Sequence, residues 1–165
     1  MYCLKCKTSK MDKARNSHHY TQCGLDNVWL VNWEGFFCPS CNMFVAVLPE
    51  ASILVSLIAY RLLVLERHLN GDEILFLRKL LGLKPFTLAD VLCIDKSKLV
   101  RWENNKDTID PLSDKKLREK ALEKISPSSS PEILKQIMSI YHRGFKSGEV
   151  EEITIKKEDL SVMTA

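Results

Sequence analysis

The chain lacks the long apolar run of a membrane protein. Its longest, Ala51 to Leu65, covers about fifteen residues and contains Arg61, short of the ~20 that a spanning helix needs. A buried helix is the expectation there. The opening MYCLKCKTSK has no apolar stretch behind its charges, which predicts no export and a cytoplasmic protein. No glycine-rich phosphate cradle, HExxH pair or nucleophile elbow occurs, so an enzyme is not expected and no catalytic residue is assigned. His68 and His142 stand alone, and nothing orients His18, His19 and Cys23 into a nucleophilic site. Internal repeats are absent too. So is charge of one sign: the net value is +3, which by itself points to no partner and leaves the local distribution of charge to decide.

What the chain does have is cysteine in pairs. Cys3-Leu4-Lys5-Cys6 and Cys38-Pro39-Ser40-Cys41 are two CxxC turns, and two more cysteines stand singly at Cys23 and Cys93. In a reducing compartment, paired CxxC turns point to metal rather than to disulfides. Two facing turns supply four thiolates to a tetrahedral zinc at about 2.3 Å, with no position left for water, so such a zinc is structural. A redox dithiol needs only one pair, and an iron–sulfur cluster also takes four thiolates; zinc is the more frequent occupant of two knuckle-like turns. The pairs are separated by 31 residues, longer than in a short zinc ribbon, so the insertion must be structured or looped. Within it, His18 and His19 are expected as exposed loop residues and Cys23 as a small buried side chain.

The second signal is residues 71–105. Ile74, Leu77, Leu80 and Leu81 recur at helical spacing, so Asp72–Leu81 is expected to be an amphipathic helix ended by Gly82. Thr87 is the expected N-cap of a helix over Leu88–Leu92, and after a turn at Cys93-Ile94, Asp95 caps Lys96–Glu103. In that last helix Leu99 and Trp102 face inward, leaving Lys96, Ser97, Lys98, Val100, Arg101 and Asn104 outward. Over residues 96–106 the charge balance is +3, from Lys96, Lys98, Arg101 and Lys106 against Glu103. A short basic helix held by a tight turn suits the DNA major groove. Arg101 is the expected base reader, because its fork matches the guanine O6 and N7 acceptors. Ser97, Lys98 and Val100 are the next candidates for base edges, and Lys96 and Lys106 for phosphate. The competing reading is a structural helix with an ordinary solvated face.

Four segments follow: a four-cysteine zinc-binding module (1–48), a connecting helix (49–70) closed near Asn70-Gly71, a helix-turn-helix domain (71–125), and a linker, amphipathic helix and polar tail (126–165). Short strands are expected at Tyr20–Thr21, Asn27–Trp33 and Met43–Leu48. The fold class is therefore α+β, a β-rich zinc module followed by an all-α domain. Two helices, Ala51–Leu65, apolar nearly all round, and the amphipathic Pro131–Phe145, are candidates for a core or for a homodimer surface.

The string CGLDNVWLVN (residues 23–32) between two CxxC pairs resembles the zinc-finger half of YgiT-type proteins. GDEILFLRKLLGL followed by KSKLVRWENN resembles their helix-turn-helix half, of Cro/phage-repressor type, as in the MqsA-type antitoxins. The resemblance covers about residues 1–125 and implies a structural zinc on Cys3, Cys6, Cys38 and Cys41. It also implies a dimer bound to palindromic operator DNA, repression of the protein's own operon, and docking of a cognate toxin on the zinc module. Arg101 falls on the family's base-reading arginine, and Ser97 stands where an asparagine is usual. Cys93-Ile94-Asp95 replaces a turn that usually contains glycine, and Asn104-Asn105 replaces a glycine after the reading helix. A non-glycine residue at positive φ costs roughly 1 kcal/mol, whereas asparagine tolerates that geometry better. An alternative function is a zinc-dependent protein-interaction module with little DNA reading.

Overall fold

In the computed structural model, which describes residues 1–125, Lys135, Ser139, Arg143 and residues 150–163, the longest strand is β2 (Val28–Phe37). Val28 and Leu30 are buried, but further along the inward positions are Trp33 and Gly35. Side chains of a strand alternate between faces, so this switch from even to odd positions requires one extra residue. A bulge supplies it. Against β1 (Asp12–His19) the register passes from His18 opposite Leu30 to Asn16 opposite Trp33, so Ser17 faces both Val31 and Asn32. Asn32 takes a φ of +53°, a geometry that asparagine adopts more readily than most side chains. The bulge keeps Leu30 and Trp33 on the same buried face. Trp33 then donates its indole N–H to the Val47 carbonyl at 2.9 Å.

Two strands pair with the other side of β2. β3 (Phe44–Ala46) is antiparallel to its second half, with Phe37 opposite Phe44. β4 (Ile153–Ile155) is parallel to its first half, with Val28 opposite Ile153 and Leu30 opposite Ile155. Ile153 and Ile155 are buried while Thr154 is exposed, so the alternating triplet near the C-terminus is part of the sheet. β1 was not among the expected strands. Its sequence DKARNSHH is almost entirely polar because, at the sheet edge, its residues are exposed or only half-buried. Conversely, Tyr20–Thr21 forms no strand: Thr21 opens a single 3-10 turn (Thr21–Cys23).

Five helices are described: α1 (Ala51–Leu63), α2 (Gly71–Leu81), α3 (Pro85–Leu92), α4 (Lys96–Glu103) and α5 (Pro111–Ile125). The chain is thus mixed α+β, a strand-rich N-terminal part followed by helices. It divides into two compact units. The first holds residues 1–21, 26–57 and the described residues from 152 onward; the second holds residues 22–25 and the described residues from 58 to 151. No helix among the described residues is long and apolar enough to cross a membrane. The expected helix Pro131–Phe145 lies outside the described residues, apart from Lys135, Ser139 and Arg143.

Two helix boundaries differ from the expectation. α1 stops at Leu63 rather than running to the end of the connecting segment 49–70, and Asn70-Gly71 opens α2 instead of closing α1. The reason is a capping box: the Asn70 side chain accepts from the Glu73 amide, and the Glu73 carboxylate accepts from the Asn70 amide. α3 starts at Pro85 with Lys84 as N-cap, so Thr87 lies inside the helix. Proline fits the first helical position because it has no N–H to satisfy there.

A buried ionic cluster ties α1, α2 and α5 together. The Arg118 guanidinium, fully buried, donates to Asp114 at 2.5 Å and to the carbonyls of Leu62, Leu63, Leu65 and Arg67 at 2.7 to 3.1 Å. It therefore caps the C-terminal end of α1, where carbonyls have no helical partner. Asp114 accepts in turn from the Leu69 amide at 3.0 Å and lies 3.3 Å from His68 Nδ1. Beside it, Arg67 grips Glu73 through two bonds of 2.7 and 2.8 Å.

Candidate metal centre and cationic helix

Asp12 lies opposite Phe37 in the ladder, so the β1–β2 pair brings residue 11 next to residue 38. The 31-residue spacing between the cysteine pairs is thereby explained, because most of the insertion is a hairpin whose ends meet. Each pair sits on a similar turn. Lys7 N–H donates to the Cys3 carbonyl at 3.0 Å and Asn42 N–H to the Cys38 carbonyl at 2.9 Å. Lys7 and Asn42 both take positive φ, 57° and 56°. The first turn is braced by Cys3 N–H to Ser9 O, and the second is the loop between β2 and β3, closed by Cys38 N–H to Met43 O, each 2.9 Å. Ser9 and Ser40 hydroxyls hydrogen-bond across the two turns.

The four sulfurs of Cys3, Cys6, Cys38 and Cys41 all lie within 4.8 Å of one another. Cys3 to Cys41 is 3.5 Å and Cys6 to Cys38 is 3.6 Å, and none of the four forms a disulfide. Four thiolates at about 2.3 Å from a central ion stand about 3.8 Å apart at the corners of a tetrahedron, so the group fits a metal in a four-sulfur site. Cys3 and Cys38 are buried beside Met11, with Phe36, Met43 and Val45 packed around them. Thiol acidities are split apart. The Thr8 hydroxyl and amide, both donating to Cys6, bring its thiol down to about 6. For Cys41 the Met43 amide acts to lower it, but burial and the neighbouring thiols of Cys3, Cys38 and Cys6 prevail and push it up to about 12. Four thiols this close resist full ionisation, and a bound divalent cation reverses that balance.

The other candidates lie elsewhere. His18 and His19 are on β1 rather than in a loop. His19 stacks on Trp29, with ring centroids 4.4 Å apart, and its Nε2 lies 2.6 Å from the Asp26 carbonyl oxygen. Cys23 is half-buried, not buried, at the end of the 3-10 turn. None of the three belongs to the four-sulfur group.

In the second unit, α3 and α4 are joined by the three residues Cys93–Asp95. Cys93 closes α3 in the left-handed region at φ 58°, so the turn keeps that geometry without a glycine. Asn105, after α4, does the same at φ 54°. Leu99 and Trp102 of α4 are buried, while Lys96, Ser97, Lys98, Val100, Arg101, Asn104 and Lys106 are exposed. Two of the cations are not free. Arg101 donates to Asp107 through Nε at 2.5 Å and Nη2 at 2.9 Å. Lys98 bonds Asp110 at 3.1 Å and lies over the Trp102 ring at 5.0 Å. Asn104 spends its side-chain amide on the Val100 carbonyl at 2.7 Å. Hydrogen bonding from Arg101 holds the Asp107 carboxyl below the usual carboxylate range.

Asp107 and Asp110 were outside the set of site residues read from the sequence. The charge balance over residues 96–106 stops one residue short of Asp107. Extending that window by a single residue at its C-terminal end is the signal that would have found the first of them.

Comparison with family models, curated proteins and solved structures finds no match to the chain.

Proposed function

We propose that the protein is a zinc-stabilised, sequence-specific DNA-binding transcription regulator. In this reading α3 and α4 are a helix-turn-helix of Cro/phage-repressor type. The observation that carries it is α4 itself: an eight-residue helix anchored by buried Leu99 and Trp102, presenting an exposed row of Lys96, Ser97, Val100 and Arg101 after a tight turn. The metal is zinc, held by Cys3, Cys6, Cys38 and Cys41, and its role is to fasten residues 1–11 to the sheet. The likeness to YgiT-type proteins and MqsA-type antitoxins extends the reading to a cytoplasmic homodimer on an inverted-repeat operator, with a toxin as second partner.

The test is a mobility shift with metal-loaded protein on its own upstream DNA against random duplex, across a salt series. Binding to the upstream DNA should be stronger, weaken as salt rises, and respond to half-sites about one helical turn apart. Arg101→Ala should lower affinity roughly 5- to 150-fold and relax preference at one base pair. Equal binding to all duplexes would sink the reading.

A second reading, a protein-interaction module, is favoured by the ion pairs that occupy Arg101 and Lys98. It predicts no shift of any duplex at low salt, together with capture of one protein partner.

A further inference from the structure

The pairing of Arg101 with Asp107 has a particular geometry. A guanidinium has five N–H donors arranged along three edges in one plane. Asp107 takes the Nε–Nη2 edge with both carboxylate oxygens. The Nη1–Nη2 edge keeps two parallel donors, the pair that matches guanine O6 and N7. The carboxylate thus occupies the one edge that a base need not use.

Asp107 is also held in place. The loop from Asn104 to Asp110 is bound to α4 by Asn105 N–H to Trp102 O and Lys106 N–H to Arg101 O, each 2.9 Å. The Asn105 side chain accepts from Gly71 N–H at 2.6 Å, which fixes the loop to the start of α2. Ile109 is buried. At the far end, Asp110 accepts from Ser113 N–H and Ser113 Oγ, at 2.9 and 3.0 Å, at the start of α5. Only a few rotatable bonds remain between this loop and the Asp107 carboxylate. Exposed ion pairs add little to stability, because water screens them and two long side chains must be ordered. A fixed carboxylate facing a flexible arginine has a different consequence: the arginine's conformational entropy is spent before a ligand arrives.

We propose that Asp107 is a positioning residue for base reading by α4, orienting Arg101 so that its free edge meets a guanine. This rests on the DNA-binding reading above. It makes Asp107 a determinant of specificity, although its own charge repels phosphate. A simple mask, in which Asp107 only neutralises Arg101 until DNA displaces it, predicts the opposite sign for affinity.

The experiment uses the full, metal-loaded chain. Duplexes enriched by the wild type from a random pool define its site. The base pair read by Arg101 is the one whose preference disappears in Arg101→Ala. Asp107→Asn and Asp107→Ala should then lose discrimination at that same base pair, about 5- to 50-fold, while binding to unrelated duplex stays level or tightens. The double variant Arg101→Ala/Asp107→Ala should discriminate no worse than Arg101→Ala alone. Asp107→Glu should restore part of the preference, which a purely structural role would not require. Thermal melts should match the wild type. If the Asp107 variants keep full discrimination, or bind every sequence more tightly with the preference intact, the positioning role is overturned while DNA reading stands. If the wild type enriches no sequence, the DNA reading fails and the proposal falls with it.

Discussion

Replacing Gly71 with alanine sets two effects of opposite sign against each other, and the structure says which wins. Gly71 opens α2, where alanine is the better helix former and leaves the unfolded chain fewer conformations to lose, a gain of about 0.4–1 kcal/mol. A methyl group there meets the Trp102 carbonyl oxygen at 2.5 Å and the Glu103 carbonyl oxygen at 2.7 Å. These are backbone atoms at the end of α4 and cannot swing aside. Relief requires α2 and α4 to separate by about 1 Å, an overpacking strain of about 1–3 kcal/mol. The same separation stretches the 2.6 Å bond from Gly71 N–H to Asn105, worth about 0.5–1.5 kcal/mol. The net expectation is a loss of about 2 kcal/mol, or roughly 10 °C in melting temperature for a unit of this size. Circular dichroism melts would measure it, with fluorescence of buried Trp102 reporting the α2–α4 contact. Gly82→Ala is the control. Gly82 sits at φ 69° with nothing within 4 Å of the added methyl, so its cost of about 1 kcal/mol is backbone strain alone and should leave Trp102 undisturbed. A Gly71→Ala protein that melts at or above the wild-type temperature refutes the reasoning.

Removal of metal should change the thiol count. With metal bound, a thiol reagent should modify exposed Cys93 quickly and half-buried Cys23 slowly, and a strong chelator should release the remaining four; modification of all six at one rate before chelation counts against the site. Arg118→Met should destabilise the protein by about 3–5 kcal/mol in urea unfolding, since it removes the cation paired with buried Asp114 and the donor to four carbonyls, and a loss under about 1 kcal/mol would contradict the capping role. Burial works against ionisation of Asp114, but bonds from His68, Arg118 and the Leu69 amide prevail and hold its carboxyl below the usual range. Its contribution is therefore complete above the ordinary carboxylate pKa and lost as pH falls through the lower folded value, so Asp114→Asn should flatten the acid limb of the stability profile. Ile155→Ala, which empties a buried position of β4, should cost about 2–5 kcal/mol by chemical denaturation; a negligible change would mean that β4 adds nothing to the sheet.

Several elements were legible because their signals are local. The helix expected over Asp72–Leu81 from apolar spacing is α2 apart from its first residue, and Gly82 does end it in the left-handed region. The Lys96–Glu103 helix follows from Leu99 and Trp102 three residues apart, with Val100 and Arg101 between them facing outward. The tolerance of asparagine for positive φ is visible at Asn105. Other elements were misread because one residue type serves two ends of a helix. Asn70-Gly71 has the composition of a stop, and only the bonds between Asn70 and Glu73 make it a start. β1 was hidden because an edge strand has little to bury, and periodicity reports burial rather than hydrogen bonding.

The sequence by itself determined the chemistry: four thiols in two CxxC turns, and a short helix with cations on one side and Leu99 and Trp102 on the other. Those facts depend on residue type and on spacings of three or four positions, which the chain geometry converts directly into neighbours. Tertiary structure alone decided which distant residues meet. It closed the gap between the cysteine pairs by folding the insertion into a hairpin, with Asp12 opposite Phe37. It drew Ile153–Ile155 beside Val28–Leu30 across more than a hundred residues. It also placed the Lys157 ammonium against the Glu34 carboxylate at 2.7 Å, again across more than a hundred residues. The physical reason is the same in each case: strand pairing and ion pairing act across space, and no local pattern records the partner.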